Sequence, residues 1–181
     1  PLALAGIMGG KSSSVDKNTT EIFIESAYFD PINIAGRARS FGLNTDSSHR
    51  FERGVDFNNT LSGLERASSL IIEICGGDCS NLMDVKNTLP KRESIKLRTQ
   101  KVSDIMGVEL KDGDIKSVLD KLRLQYTDQK SSFLVTPPSF RFDLSIEEDL
   151  VEEVIRIYGY NNIPALLPSS QAKALPTPGN K

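Results

Sequence analysis

The sequence predicts an α+β fold in two parts, on three observations. Its 181 residues suffice for one large domain or two small ones with a real core. Short strand-like runs and amphipathic helical stretches occur on both sides of a break at Leu89-Pro90-Lys91. Beyond that break the pattern changes to that of a different unit, so a boundary is expected between Thr88 and Glu93.

In the first part, residues 2–8 are an apolar run closed by Gly9-Gly10, and residues 20–29 are a second such run. Both read as strands, with the polar stretch 11–18 turning between them. Asp30-Pro31 is an N-cap followed by proline at the first helical position, and Gly42 is the expected stop. Residues 44–56 read as a polar loop dense in charge. Asp56 is then the expected cap of a long helix, in which Leu61, Leu64, Ala67, Leu70, Ile71, Ile74 and Cys75 recur at helical spacing. Gly76-Gly77 ends it, and residues 82–85 look like another short strand.

In the second part, residues 95–97 read as a strand followed by a helix to about Met106. Asp112 is the expected cap of the next helix, with Ile115, Val118, Leu119 and Leu122 on one side. Residues 124–127 and 133–136 flank a polar turn and suggest a hairpin. Ser145-Ile-Glu-Glu148 is a capping-box pattern that opens a helix ending at Gly159. The Pro-, Ser- and Ala-rich tail reads as a linker.

Composition excludes several classes of function. Charged residues make up 25% of the chain, with 22 Lys+Arg against 24 Asp+Glu. That balance argues against a disordered tail and against a generically basic nucleic-acid binder. No apolar run approaches the roughly 18–20 residues of a membrane helix, and no secretory leader is visible. A start at Pro1 rather than Met reads as a piece of a longer cytoplasmic protein. Cys75, Cys79 and the one histidine, His49, cannot supply a zinc site. Nucleophile-elbow and phosphate-binding glycine motifs are missing from the sequence.

Three groups of residues invite a chemical reading. On the last helix, at about 100° per residue, Ile146, Leu150, Val154, Ile157 and Tyr158 form one face. Asp149, Glu152 and Glu153 share the opposite face, and Asp143 precedes the helix. Four carboxylates so placed suit magnesium, but acids near a helix N-terminus also favour the macrodipole with no ligand at all. Mutual repulsion should raise some of their pKa values if they stand unpaired. Glu25 sits inside an apolar run, with Phe23 and Ala27 on its side of the alternation. It either meets solvent or accepts a hydrogen bond from a ligand hydroxyl in an apolar pocket. Finally, the hydroxyls, His49, Arg50 and Arg53 of the 44–56 loop suit a phosphate or sugar, or equally a self-bonded turn.

Several long motifs carry a resemblance. Leu2-Ala-Leu-Ala-Gly-Ile-Met-Gly-Gly10, Gly36-Arg-Ala-Arg39, TDSSHRFERGVD from Thr45 and RFDLSIEEDLVEEVIRIYGYNNIP from Arg141 resemble the bacterial phenylalanyl-tRNA synthetase beta-subunit family, in order and from Leu2 to about Pro164. The resemblance implies that residues 1–90 are the C-terminal part of a B3/B4 tRNA-editing domain. It makes residues 92–167 a small winged-helix-like B5 domain and residues 168–181 a linker or tail. It further implies a cytoplasmic alpha2beta2 tetramer whose alpha subunit attaches phenylalanine to tRNA(Phe) with ATP. The beta subunit would hydrolyse tyrosine wrongly attached to that tRNA.

By the same resemblance, Glu25 matches the glutamate that recognises the tyrosine hydroxyl, Gly9 and Gly10 the glycine wall, and Thr45 a lining threonine. Ser47 takes the place of a lining alanine, and the family's editing histidine lies upstream of Pro1. Asp143, Asp149, Glu152 and Glu153 match four acids assigned to Mg2+ in a site shared with the alpha subunit. The competing reading is a non-catalytic scaffold or nucleic-acid-binding module. The 13 basic and 13 acidic residues after residue 91 argue against strong nucleic-acid binding by the second part alone.

Overall fold

The apolar run at residues 2–8 folds back on itself instead of forming one strand. β1 (Ala3–Leu4) and β2 (Met8–Gly9) pair antiparallel, with Ala3 opposite Gly9 and Leu4 opposite Met8. Gly6, at φ 68°, supplies the left-handed residue that so tight a turn requires. The structure, a computed structural model, describes residues 1–165. The expected linker at 168–181 therefore lies outside the described residues, as do residues 166 and 167.

Ile7, at the tip of the hairpin, is buried against Ile34 and Ala38, and Phe29, Leu43 and Phe51 close around this small core. The Phe29 and Phe51 rings meet edge to face with centroids 4.9 Å apart. Residues 20–29 form no ladder among the described residues, which corrects the expected strand. A strand needs a neighbour to satisfy its backbone, and none runs alongside. The run is instead tied to the next long helix, where Ser26 Oγ donates to the Thr60 carbonyl at 2.7 Å.

Asp30 caps as expected, accepting from the Ile32 amide at 3.1 Å. Gly36, at φ 74°, then splits the expected helix into α1 (Pro31–Ile34) and α2 (Arg37–Ser40). The expected loop contains a further helix, α3 (Asp46–Phe51). The long helix α4 (Thr60–Cys75) does not start on Asp56, whose carboxylate accepts from the Asn58 amide at 3.0 Å in the turn before it. Gly76, at φ 73°, stops α4. No strand forms at 82–85, where Met83 and Val85 stay largely exposed.

The second part follows its sequence pattern more closely. β3 (Ile95–Arg98), α5 (Thr99–Met106) and α6 (Asp112–Lys121) lead into the hairpin β4 (Gln125–Gln129) and β5 (Ser132–Thr136). The sheet order is β3-β5-β4, antiparallel throughout. α7 (Glu147–Tyr158) packs with α5, α6 and β3. Leu97, Phe133 and Val135 point inward at period two, and Val102, Ile115, Leu119, Leu150 and Val154 meet them from the helices. This cluster shares no residue with the small core of the first part.

Two expected caps move. Asp112 lies inside the first turn of α6 and accepts from Thr99 Oγ1 at 2.5 Å, while Asp114 reaches back to the Lys111 amide at 3.0 Å. α7 begins at Glu147, so Ser145 is not its cap. Asp149 does that work: Oδ2 accepts from the Ser145 and Ile146 amides at 2.7 and 2.9 Å and from Ser145 Oγ at 3.2 Å. A carboxylate in the third helical position can satisfy orphan amides that the apolar Ile146 cannot.

Candidate functional site

A hollow of about 500 Å³ opens beside the β1–β2 turn. Its walls come from three stretches: the hairpin with Gly6, Ile7 and Gly9, the segment with Glu25, Ala27 and Phe29, and the start of α3 with Thr45, Ser47 and Phe51. The alternation of an extended chain survives without a ladder, since Glu25, Ala27 and Phe29 face the hollow while Ser26 ties away to α4. Glu25 is exposed and is the single charged residue of the lining.

The α3 wall is stitched to the hairpin by hydroxyls. Thr45 Oγ1 donates to the Ile7 carbonyl at 2.7 Å, and Ser47 Oγ donates to the Gly6 carbonyl at 3.1 Å. Thr45 also caps α3, accepting from the Ser48 amide at 3.1 Å, while Ser48 Oγ accepts from the Thr45 amide at 3.3 Å. Thr45-x-x-Ser48 was the sequence signal for this helix, obscured because so short a helix has no apolar period. The two glycines differ. A Cβ on Gly9 would meet nothing within 4 Å, so a larger residue there grows into the hollow. Gly10 is not in the lining: its amide donates to the Leu2 carbonyl at 2.8 Å, and a Cβ would lie 2.5 Å from that oxygen.

The four acids around α7 do not gather as their spacing suggests. Asp149 is spent on capping. Asp143 is gripped by Arg141, with Nε 2.9 Å from Oδ1 and Nη2 2.6 Å from Oδ2. Glu153 is buried beside Leu150 and Val154 and is held by Arg141 and Arg156. Glu152 faces solvent. Among the described residues, no three Asp, Glu, His or Cys side chains come together as a metal cluster, so the donor set as placed does not fit magnesium.

The upward shifts expected of unpaired acids do not apply, because three of the four are paired. Arg141 holds Asp143 below the usual carboxylate range. Burial pushes Asp149 up, but the Ser145 and Ile146 amides outweigh it and leave it lowered. Glu153 is likewise raised by burial and lowered further by Arg156 and Arg141. Paired guanidinium groups and amide dipoles win over carboxylate repulsion here.

One ionic anchor was not singled out from the sequence. Glu147, in the first turn of α7, accepts from the Arg98 amide at 2.8 Å and takes Arg98 Nε and Nη2 at 3.0 and 2.6 Å, with Lys101 at 3.4 Å. This ties α7 to the end of β3. Arg98, first among these partners, holds Glu147 down to about 2. A depressed carboxylate stabilises the fold above its unfolded value, so the contribution should fade as pH drops from 4.5 toward about 2. Glu147→Gln should flatten that part of an acid-unfolding curve. The loss near neutral pH should be only about 1 kcal/mol, because Arg98 is half exposed and water screens the pair. An acid limb identical to wild type would contradict it.

Comparison with known proteins adds the following. Residues 1–76 match the family model "B3/4 domain", and residues 95–160 match "tRNA synthetase B5 domain". The phenylalanine–tRNA ligase beta subunit of Nitrosospira multiformis is 46% identical over 178 residues, covering 98% of this chain and 22% of the relative. The one from Thiobacillus denitrificans is 48% identical over 175 residues, covering 97% and 22%. The one from Chromobacterium violaceum is 48% identical over 181 residues, covering 100% and 23%. The chain thus spans less than a quarter of the length of these relatives.

Proposed function

The chain belongs to the family of phenylalanine–tRNA ligase beta subunits, of which it spans the B3/4–B5 region, and from that premise we propose that the hollow beside its hairpin is part of a site that hydrolyses tyrosine wrongly attached to tRNA(Phe). In this reading residues 1–90 are the C-terminal share of the editing domain and residues 92–167 are the B5 unit. Ligation with ATP belongs to the alpha subunit of a cytoplasmic alpha2beta2 enzyme.

One observation carries the reading: a single carboxylate, Glu25, in an otherwise uncharged and largely apolar hollow. Tyrosine is phenylalanine plus one hydroxyl, and an apolar synthetic pocket rejects such an addition by only about a hundredfold. A second pocket with an anionic acceptor inverts that preference, because a phenol donates to a carboxylate and an aryl C–H does not. Gly9 leaves room for the ring beside the hairpin. Thr45 and Ser47 spend their hydroxyls on the Ile7 and Gly6 carbonyls, which suits them to holding the wall rather than to nucleophilic attack.

In the reaction, water adds to the ester carbonyl carbon, the ester C–O bond breaks, and the ribose oxygen leaves with a proton. Glu25 is committed to the ring hydroxyl, so this chain contributes mainly by fixing the amino acid while water attacks. The test uses the assembled enzyme with tRNA(Phe) carrying tyrosine. Gly9→Leu fills the hollow and should slow tyrosine release by about tenfold, with phenylalanine attachment unchanged. Tyrosine release at the wild-type rate would overturn the reading.

A further inference from the structure

We propose that Phe142, in the second part of the chain, is a positioning residue of the editing hollow, because its ring seats on Gly54 and sets the α3 wall. The inference rests on the editing reading and gives the second part a share in that reaction. The contact is close. Gly54 is buried just beyond the end of α3, and a Cβ there would lie 2.8 Å from Phe142 Cγ and 2.9 Å from Cδ2. A side-chain carbon does not approach a ring that nearly, so the ring lies on bare glycine backbone. Gly54 also takes φ 115°, an angle that an L side chain rarely adopts. A backbone angle and a neighbouring ring therefore both require glycine at this point.

Both sides of the contact are anchored. Thr45, the cap of α3, and Ser47 and Phe51 on it all face the hollow, so a tilt of this short helix moves all three. Its first turn is tied to the hairpin by the Thr45 and Ser47 hydroxyls. Its far end closes through the Gly54 amide, which donates to the Arg50 carbonyl at 3.1 Å. On the other side, Phe142 rides on a turn that is held firmly. Arg92 Nη2 donates to the Arg141 and Leu144 carbonyls at 2.5 and 2.7 Å, and Leu144 is buried in the second core. The Phe142 ring stays outside that core and remains 44% exposed. It adds little to the packing of its own part, and its close neighbour is the end of the α3 wall.

The experiment compares the assembled enzyme with its Phe142→Ala, Phe142→Leu and Gly54→Ala variants and the Gly54→Ala, Phe142→Ala double variant. It reads tyrosine release from tRNA(Phe), and hydrogen exchange of the Glu52 and Gly54 amides, which donate to the Ser48 and Arg50 carbonyls. Phe142→Ala should speed that exchange by about tenfold. It should lower kcat for tyrosine release by about fivefold with KM held, because a loose wall misorients the amino acid without weakening the grip on tRNA. Phe142→Leu keeps an apolar side chain on Gly54 and should recover most of both. Gly54→Ala should cost more alone than beside Phe142→Ala, where the new methyl has no ring to meet. Wild-type exchange at these amides in Phe142→Ala overturns the proposal, and so does strict additivity in the double variant. Should Phe142→Ala also loosen β3 and α7, Gly54→Ala decides, and unchanged tyrosine release there overturns the proposal. If Gly9→Leu slows release and Phe142→Ala does not, the proposal fails alone. If Gly9→Leu releases tyrosine at the wild-type rate, the editing reading fails and the proposal with it.

Discussion

Phe133→Ala should destabilise the second part of the chain by about 3–5 kcal/mol and leave the hairpin of the first part untouched. Phe133 is fully buried on β5, the middle strand, opposite Leu97 of β3 and Asp128 of β4. Its ring meets Tyr126 edge to face at 5.6 Å and belongs to the cluster that also holds Val102, Ile115, Leu119 and Leu150. Truncation removes the ring from contact with both strands and helices at once, and a site walled on all sides collapses poorly. The check is amide hydrogen exchange. Protection should fall across β3, β5 and α7 while the Ile7 and Gly10 amides, bonded to Leu4 and Leu2, exchange as in wild type. Equal loss in both regions would mean that the two clusters form one cooperative core.

The sequence was legible where structure is repetitive and closed on itself. The β4–β5 hairpin, α5 and the stop at Gly159 followed from period and punctuation. Residues 20–29 and 82–85 have equally strand-like composition, but a strand is defined by a neighbour, and none is present among the described residues. Composition cannot report a missing partner. Extended Ala35 and left-handed Gly36 together divide α1 from α2, and a glycine inside a helical stretch gives no sign of whether it will do so.

The candidate sites divide on the same principle. Angular spacing set Glu153 opposite Leu150 and Val154, whereas it is buried beside them, and spacing was blind to Arg141, which reaches Glu153 from the preceding loop. It was equally blind to the turn geometry that spends Asp149 on two amides. Glu25 was visible because a carboxylate in an apolar run is anomalous on its face. Its neighbours in the hollow, Thr45 and Ser47, come from a segment that only tertiary structure brings near.

Glu25→Ala should lower the preference for tyrosine over phenylalanine in hydrolysis by about 10–100-fold, the worth of a hydrogen bond to a charged acceptor in a site closed by the substrate. The effect should split unequally between the two amino acids. Tyrosine release slows because its hydroxyl loses its acceptor. Phenylalanine release should hold steady or rise, since its ring no longer has to desolvate a carboxylate on entering the hollow. Glu25→Gln keeps an acceptor oxygen without the charge and should fall between wild type and Glu25→Ala. Stability separates this outcome from misfolding. Glu25 is exposed in a segment without ladder bonds, so its replacement should shift unfolding by less than about 0.5 kcal/mol. Release of each amino acid from tRNA(Phe) by the assembled enzyme is the measurement. An unchanged ratio in a stably folded Glu25→Ala variant would remove the carboxylate from recognition and leave the hollow without a reason to prefer tyrosine.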